Sequence, residues 1–160
     1  MSEFLKTILP LFAAVAFAAS TAAETATEAN KALVRKVFDE GFNKGNLAIA
    51  DQYVASDCVD NSTFKIEAKG REAIKARFAM QRKSFPDLKF TFDDMIAEGD
   101  RVVWRWTMTG TDTGGFMGKP PTGKPFRITG VNIQRIANGQ IAEHWSYPDV
   151  VGLMRQLGVQ

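Results

Sequence analysis

The chain has 160 residues, a length suited to one domain, and its 45% hydrophobic and 24% charged content is that of an ordinary globular protein. A net charge of +2 with no basic block implies neither nucleic acid nor an acidic membrane surface as a partner. One cysteine, Cys58, and one histidine, His144, exclude an internal disulfide and a cysteine- or histidine-rich zinc site within one chain.

Met1 to Ala23 read as a secretory signal peptide. A weakly positive start with Lys6 precedes an apolar run from Ile8 to Ala19, and the small residues Ser20-Thr21-Ala22-Ala23 follow. The apolar run is short for a membrane span of about 20 residues, so cleavage is expected, with no stable membrane anchor afterwards and a periplasmic or secreted mature protein. Residues 24–29 read as a mobile leader, and the domain as residues 30–160. In an oxidising compartment a single Cys58 reads as buried and inert.

Asn30 to Lys44 carries Leu33, Val34, Val37, Phe38, Gly41 and Phe42 at helical spacing, with Gly45 as its C-terminal stop. Asn46 is placed to cap a short helix over Leu47 to Val54, with Tyr53 on its inner side. Ser56 to Ser62, including Asp60, reads as a short strand. Gly70 to Ser84 is a third helix with Ile74, Phe78 and Met80-Gln81 near its inner face, stopped by Phe85-Pro86-Asp87. Leu88 to Ala97 and Arg101 to Gly110 are strands; Val102, Trp104, Trp106 and Met108 share one face of the second. Thr111 to Pro125, rich in Gly and Pro, is a loop with apolar Phe116 and Met117, which either covers a cavity mouth or tucks into the core.

Phe126 to Asp149 forms a hairpin around Ala137-Asn138-Gly139-Gln140. A two-residue type I′ turn would set Asn132 opposite Trp145. A type I turn closed by a G1 bulge at Gly139 would set Asn132 opposite His144, Gly130 opposite Ser146 and Gln134 opposite Ala142. Only the bulged register gives two coherent faces. Val131, Ile133, Ile141, Trp145 and Tyr147 then share one face; Gly130, Asn132, Gln134, His144 and Ser146 share the other and line a cavity. Asp149 caps a final helix. Helices followed by bent antiparallel strands argue an α+β fold, in which a curved sheet wrapped by N-terminal helices makes a cone with an internal pocket. The aromatic outer face of the sheet suggests a homodimer.

GFMGKPPTGKPF, then a strand, then NGQIAEHWSYPDVVGLMRQLG, together with LVRKVFDEGFNKGNLAIADQYVASDCVD, resembles the SnoaL-like polyketide cyclase (ester cyclase) family over Asn30 to Gly158. The resemblance implies a nuclear-transport-factor-like α+β cone, often dimeric. In cyclases of that family an aspartate of the last strand is the acid/base of an intramolecular aldol closure. That position falls on Ser146. The family's histidine two positions earlier is retained as His144, its second pocket histidine falls on Asn132, and a pocket asparagine falls on Asp60.

Read together, His144 and Asp60 are the candidate catalytic pair for proton abstraction beside a carbonyl, the histidine as base with the carboxylate as its orienter or the roles reversed, and Asn132 and Ser146 are candidate binders of the enolate oxygen. Trp104, Trp106, Phe38, Phe42, Tyr53 and Phe116 are candidate pocket walls, and each also reads as plain core. Two functions stay open. One is a cofactor-free acid/base enzyme acting on a small apolar carbonyl or ester compound. The other is a non-catalytic binder of a small hydrophobic ligand, which needs neither Asp60 nor His144. No flavin, haem or nicotinamide signature is present, and the Gly-rich stretch lacks the Lys-Ser/Thr ending of a phosphate loop.

Overall fold

The computed structural model describes residues 23–63 and 66–159, so the signal-peptide reading of Met1 to Ala23 lies almost entirely outside the described residues. Helix α1 covers residues 23–38, and residues 24–29, read from the sequence as a leader, are helical and mostly exposed. Its stripe of Val34, Val37 and Phe38 is fully buried, as the 3.6-residue spacing requires. The helix widens over Asp39–Asn43, where the Lys44 N–H reaches the Asp39 carbonyl five residues back. Gly41 sits in this wide turn because any Cβ there would lie 2.3 Å from the Phe78 ring.

Helix α2 is Ile49–Tyr53. Asn46 does not cap it: the side-chain amide donates to the Glu40 carboxylate at 3.1 Å instead. Strand β1 (Val54–Asp60) leads through a loop to helix α3 (Arg71–Ser84). Strands β2 (Lys89–Glu98), β3 (Arg101–Thr111), β4 (Pro125–Ala137) and β5 (Gln140–Pro148) then run as antiparallel neighbours, and helix α4 (Val150–Leu157) ends the fold. The Asp149 carboxylate accepts from the Gly152 N–H at 2.8 Å, the N-cap read from the sequence.

The sheet order is β1-β5-β4-β3-β2. Its β1 edge is parallel to β5, a pairing that periodicity does not reveal. The concave face buries Val102, Trp104, Trp106 and Met108 of β3 with Phe126, Ile128 and Ile136 of β4. Helices α1 and α3 cover that face, and α4 lies along β4. Among the described residues no helix is long and apolar enough to cross a membrane.

The hairpin differs from expectation in turn type and in register. Asn138 and Gly139 both adopt positive φ, 52° and 70°, the two left-handed residues of a type I′ turn. The extra residue is absorbed further along, at Ala142, where the ladder shifts between Arg135 and Ile136. Asn132 therefore lies opposite Ser146, and Gln134, not Asn132, lies opposite His144. The facing of the polar residues is as expected, because the bulge restores the parity that a bare two-residue turn would have reversed. Ile141 is the exception: it precedes the bulge, pairs with Ile136 and is buried on the inner face.

A candidate active site in the concave face

The inner wall of the hairpin places three polar side chains in the core. Asn132, Gln134 and His144 are 2%, 0% and 0% exposed. A buried polar group needs a partner, and the neighbouring strand supplies two. Trp106 Nε1 donates to Asn132 Oδ1 at 2.9 Å. Trp104 Nε1 donates to Gln134 Oε1 at 2.7 Å. Gln134 Nε2 in turn lies 3.0 Å from His144 Nδ1. The Phe38 ring packs beside the imidazole, centroids 5.5 Å apart.

The other imidazole nitrogen, Nε2, is buried and has no hydrogen-bond partner. It belongs to a blind, mainly apolar cavity walled by Phe42, Phe85, Phe90, Trp106, Phe116 and Leu153, with Arg77, Gln81, Asn132, His144 and Ser146 as its polar lining. The cavity volume is about 30 Å³, room for a water or two. Gln81 Oε1 is a second buried polar atom of this lining without a partner. At Gly130 a Cβ would come within 2.2 Å of the Trp106 ring, so the missing side chain lets that indole lie across the strand and form part of the wall.

Burial pushes the His144 pKa down from 6.5 to about 3. The Arg77 charge adds to the shift, and the Asp60 charge opposes it. The imidazole is therefore neutral at physiological pH. Asp60 does not orient it. The Asp60 carboxylate accepts from Ser62 N and Oγ, at 3.0 and 2.5 Å, and from Arg77 Nη2 at 2.5 Å, while the position beside Nδ1 is taken by Gln134. Burial would raise the Asp60 pKa, but the Ser62 hydrogen bond and the Arg77 charge outweigh it and the net shift is downward. Asp60 and His144 are paired along the β1–β5 ladder, but the imidazole nitrogens make no hydrogen bond to that carboxylate.

Of the other expected residues, Asn132, Ser146, Trp106, Phe42 and Phe116 line the cavity. Phe38 and Trp104 are core one layer behind it. Tyr53 is elsewhere: it receives a 2.9 Å hydrogen bond from Lys36, which also sits over its ring, and it takes no part in the wall. Arg77 went unnoticed in the sequence. Its signal was positional, since Ile74, Arg77, Phe78 and Gln81 share one helical face. Among the described residues no carboxylate lines the cavity, and no group of His, Cys, Asp and Glu is arranged to hold a metal.

Residues 32–157 match the model of the SnoaL-like polyketide cyclase family. Nogalonic acid methyl ester cyclase of Streptomyces nogalater is 29% identical over 119 residues, covering 73% of this chain and 89% of its own. Aklanonic acid methyl ester cyclase DnrD of Streptomyces peucetius is 26% identical over 129 residues, 79% and 88% of the two chains. Among solved structures, TsrD from Streptomyces laurentii superposes with a TM-score of 0.75 at 28% identity, covering 83% of this chain and 97% of that one. IdmH from Streptomyces antibioticus superposes with a TM-score of 0.71 at 31% identity, covering 81% and 99%.

Proposed function

Because the chain belongs to the SnoaL-like polyketide cyclase family, we propose that it is a cofactor-free enzyme of the cyclase class, acting on a small, largely apolar carbonyl or ester compound in the concave cavity. One observation carries this reading. Two buried polar atoms of one apolar cavity, His144 Nε2 and Gln81 Oε1, have no protein partner. Leaving such an atom unpaired costs on the order of 1–3 kcal/mol, which a ligand carrying both an acceptor and a donor recovers. An enolised keto ester has both, in its carbonyl oxygen and its enol hydroxyl.

The chemistry suits a neutral imidazole, which polarises a carbonyl without ionising. In an aldol closure the enol carbon adds to the polarised carbonyl carbon. The new C–C bond forms as the C=O π bond breaks, and the enol proton ends on the new hydroxyl. The reaction is a net isomerisation that consumes no co-reactant. Ser146 and Asn132 line the same wall and can hold the oxygens between which that proton moves. The small volume means that the wall opens for entry, and Phe116 enters the wall from the 112–124 loop, which lies outside sheet and helix.

A second reading, a non-catalytic binder of the same ligand class, is favoured by the absence of a carboxylate from the lining and by Ser146 at the aspartate position. The pattern of Met1 to Ala23 supports export, and the partly exposed Val131, Ile133, Trp145 and Tyr147 on the outer sheet face support a homodimer. The experiment is to offer a panel of enolisable keto esters, including nogalonic and aklanonic acid methyl esters, and to follow formation of ring-closed products of unchanged mass. The enzyme reading expects conversion that His144→Ala lowers at least tenfold. Saturable binding with no conversion would leave the binder, and full turnover by His144→Ala would remove His144 from the chemistry.

A further inference from the structure

We propose that Gln134 and Trp104 are positioning residues that fix His144 as its Nε2–H tautomer, so that the imidazole presents a standing N–H donor to the cavity and takes an oxygen acceptor there. Trp104, Gln134 and His144 form a chain of three side chains on three adjacent strands. An indole Nε1 only donates. It lies 2.7 Å from Gln134 Oε1, and this settles which end of the Gln134 amide is oxygen. The other end, Nε2, is an NH2 group and also only donates. It lies 3.0 Å from His144 Nδ1, so Nδ1 must accept. A neutral imidazole that accepts at Nδ1 carries its proton at Nε2. That nitrogen is the one facing the cavity with no protein partner.

Reversing the tautomer would turn the Gln134 amide over and set its NH2 against the Trp104 N–H, two donors face to face in a dry core. Adding a second proton would set Nδ1–H against the Gln134 NH2 in the same way. The charged groups nearest the ring are Arg77 of α3 and Asp60 of β1, already paired with each other. The consequence is a division of labour. His144 does not abstract the substrate proton, because its cavity-side lone pair is occupied by that proton. It selects an oxygen acceptor and rejects an N–H or ammonium group at the same place. This role on a substrate rests on the function proposed above; the tautomer does not.

The test is the two-bond 1H–15N correlation spectrum of uniformly labelled protein, unambiguous because His144 is the single histidine. The wild type is expected to show a bare, imine-type Nδ1 and an N–H-type Nε2, unchanged from pH 5 to pH 8. An Nδ1–H pattern, or an average of the two tautomers, would overturn the proposal. In Gln134→Glu the carboxylate accepts from both neighbours, and the proton is expected to move to Nδ1. In Trp104→Phe the amide is free to turn, and the spectrum is expected to become a mixture of tautomers. A pure Nε2–H pattern in a folded Trp104→Phe would remove Trp104 from the scheme. Should Gln134→Glu not fold, the wild-type spectrum and Trp104→Phe still decide. The right tautomer in a protein that converts no carbonyl compound would sink the proposed reaction alone, and the wrong tautomer in an active enzyme would sink only the inference drawn here.

Discussion

Asp60 and Arg77 form an ion pair inside the fold, Oδ2 to Nη2 at 2.5 Å, with side-chain exposures of 10% and 4%. Removing one member of a buried pair leaves a charge with nothing to balance it, at a cost of about 3–5 kcal/mol. Arg77→Met is expected to lower the unfolding free energy by that amount, and Arg77→Met with Asp60→Asn to recover most of it. Urea titrations of the wild type and the two variants check both, and an Arg77→Met protein within 1 kcal/mol of wild type would contradict the first. The Asp60 pKa is held below its ordinary 3.8, so this carboxylate's contribution is complete above 3.8 and is lost only as the pH falls through the lower, folded-state value.

His144 acts in the same direction, over a higher pH window and for its own reason. Its folded pKa is about 3 against an ordinary 6.5. Between those values the unfolded chain binds a proton that the folded chain refuses. Stability therefore falls as the pH drops from 6.5 towards 3, by at most about 1.4 kcal/mol per pH unit from this group, and does not depend on it above 6.5. Comparing wild type with His144→Gln between pH 7 and 4 isolates the term; equal slopes would contradict it. In Asp60→Asn the imidazole loses the one charge that favours its protonated form, and an NMR titration is expected to show a still lower pKa.

Cys58 is 3% exposed, and its thiol is pushed up to about 12 by burial first and then by the charges of Asp60, Asp57 and Glu143. The thiolate is the reactive form. A chromogenic disulfide at pH 8 is expected to leave the folded protein unmodified for hours and to react fully in denaturant. Stoichiometric reaction within seconds in buffer would mean that the β1 edge opens readily.

Asp112 holds the Gly/Pro loop from within. It is 1% exposed and accepts from Gly115 N, Thr122 N and Thr122 Oγ1 at 2.9 to 3.0 Å. Asp112→Ala orphans those donors, and a loss of stability on the order of 1–3 kcal/mol is expected. Hydrogen exchange is expected to speed up at Gly115, Thr122 and Gly123 while the β3–β4 ladder keeps its protection. Uniform loss of protection would show that the loop is part of the core rather than a separable cover.

Much of this fold was legible in local pattern. The stripe Val34, Val37, Phe38, the alternation from Val102 to Met108, the Asn138-Gly139 turn and the Asp149 cap each act over a few residues, where propensity and periodicity speak directly. What escaped the sequence depends on contacts between distant segments. No single residue announces the bulge at Ala142, yet moving it from Gly139 exchanged Asn132 for Gln134 as the partner of His144. Arg77 went unread because its reason to be inside, Asp60, lies on another element. Ser146 carried the family resemblance and its main departure at once, and only the cavity lining shows that, among the described residues, no carboxylate faces the cavity in the aspartate's place.

The parallel β1–β5 edge bears on the order in which the molecule is made. Thr63, just beyond β1, donates from its backbone N–H to the Ser146 carbonyl, 83 positions downstream. β2, β3 and β4 can pair as successive hairpins while the chain is still being synthesised, but β1 has nothing to pair with until β5 has emerged. Contacts of such long sequence separation are slow to form. The polar cluster around His144 is therefore the last part of the sheet to assemble. A chain cut short before Gln140 loses the histidine and leaves β1 as an unpaired edge, exposed to association with other nascent chains.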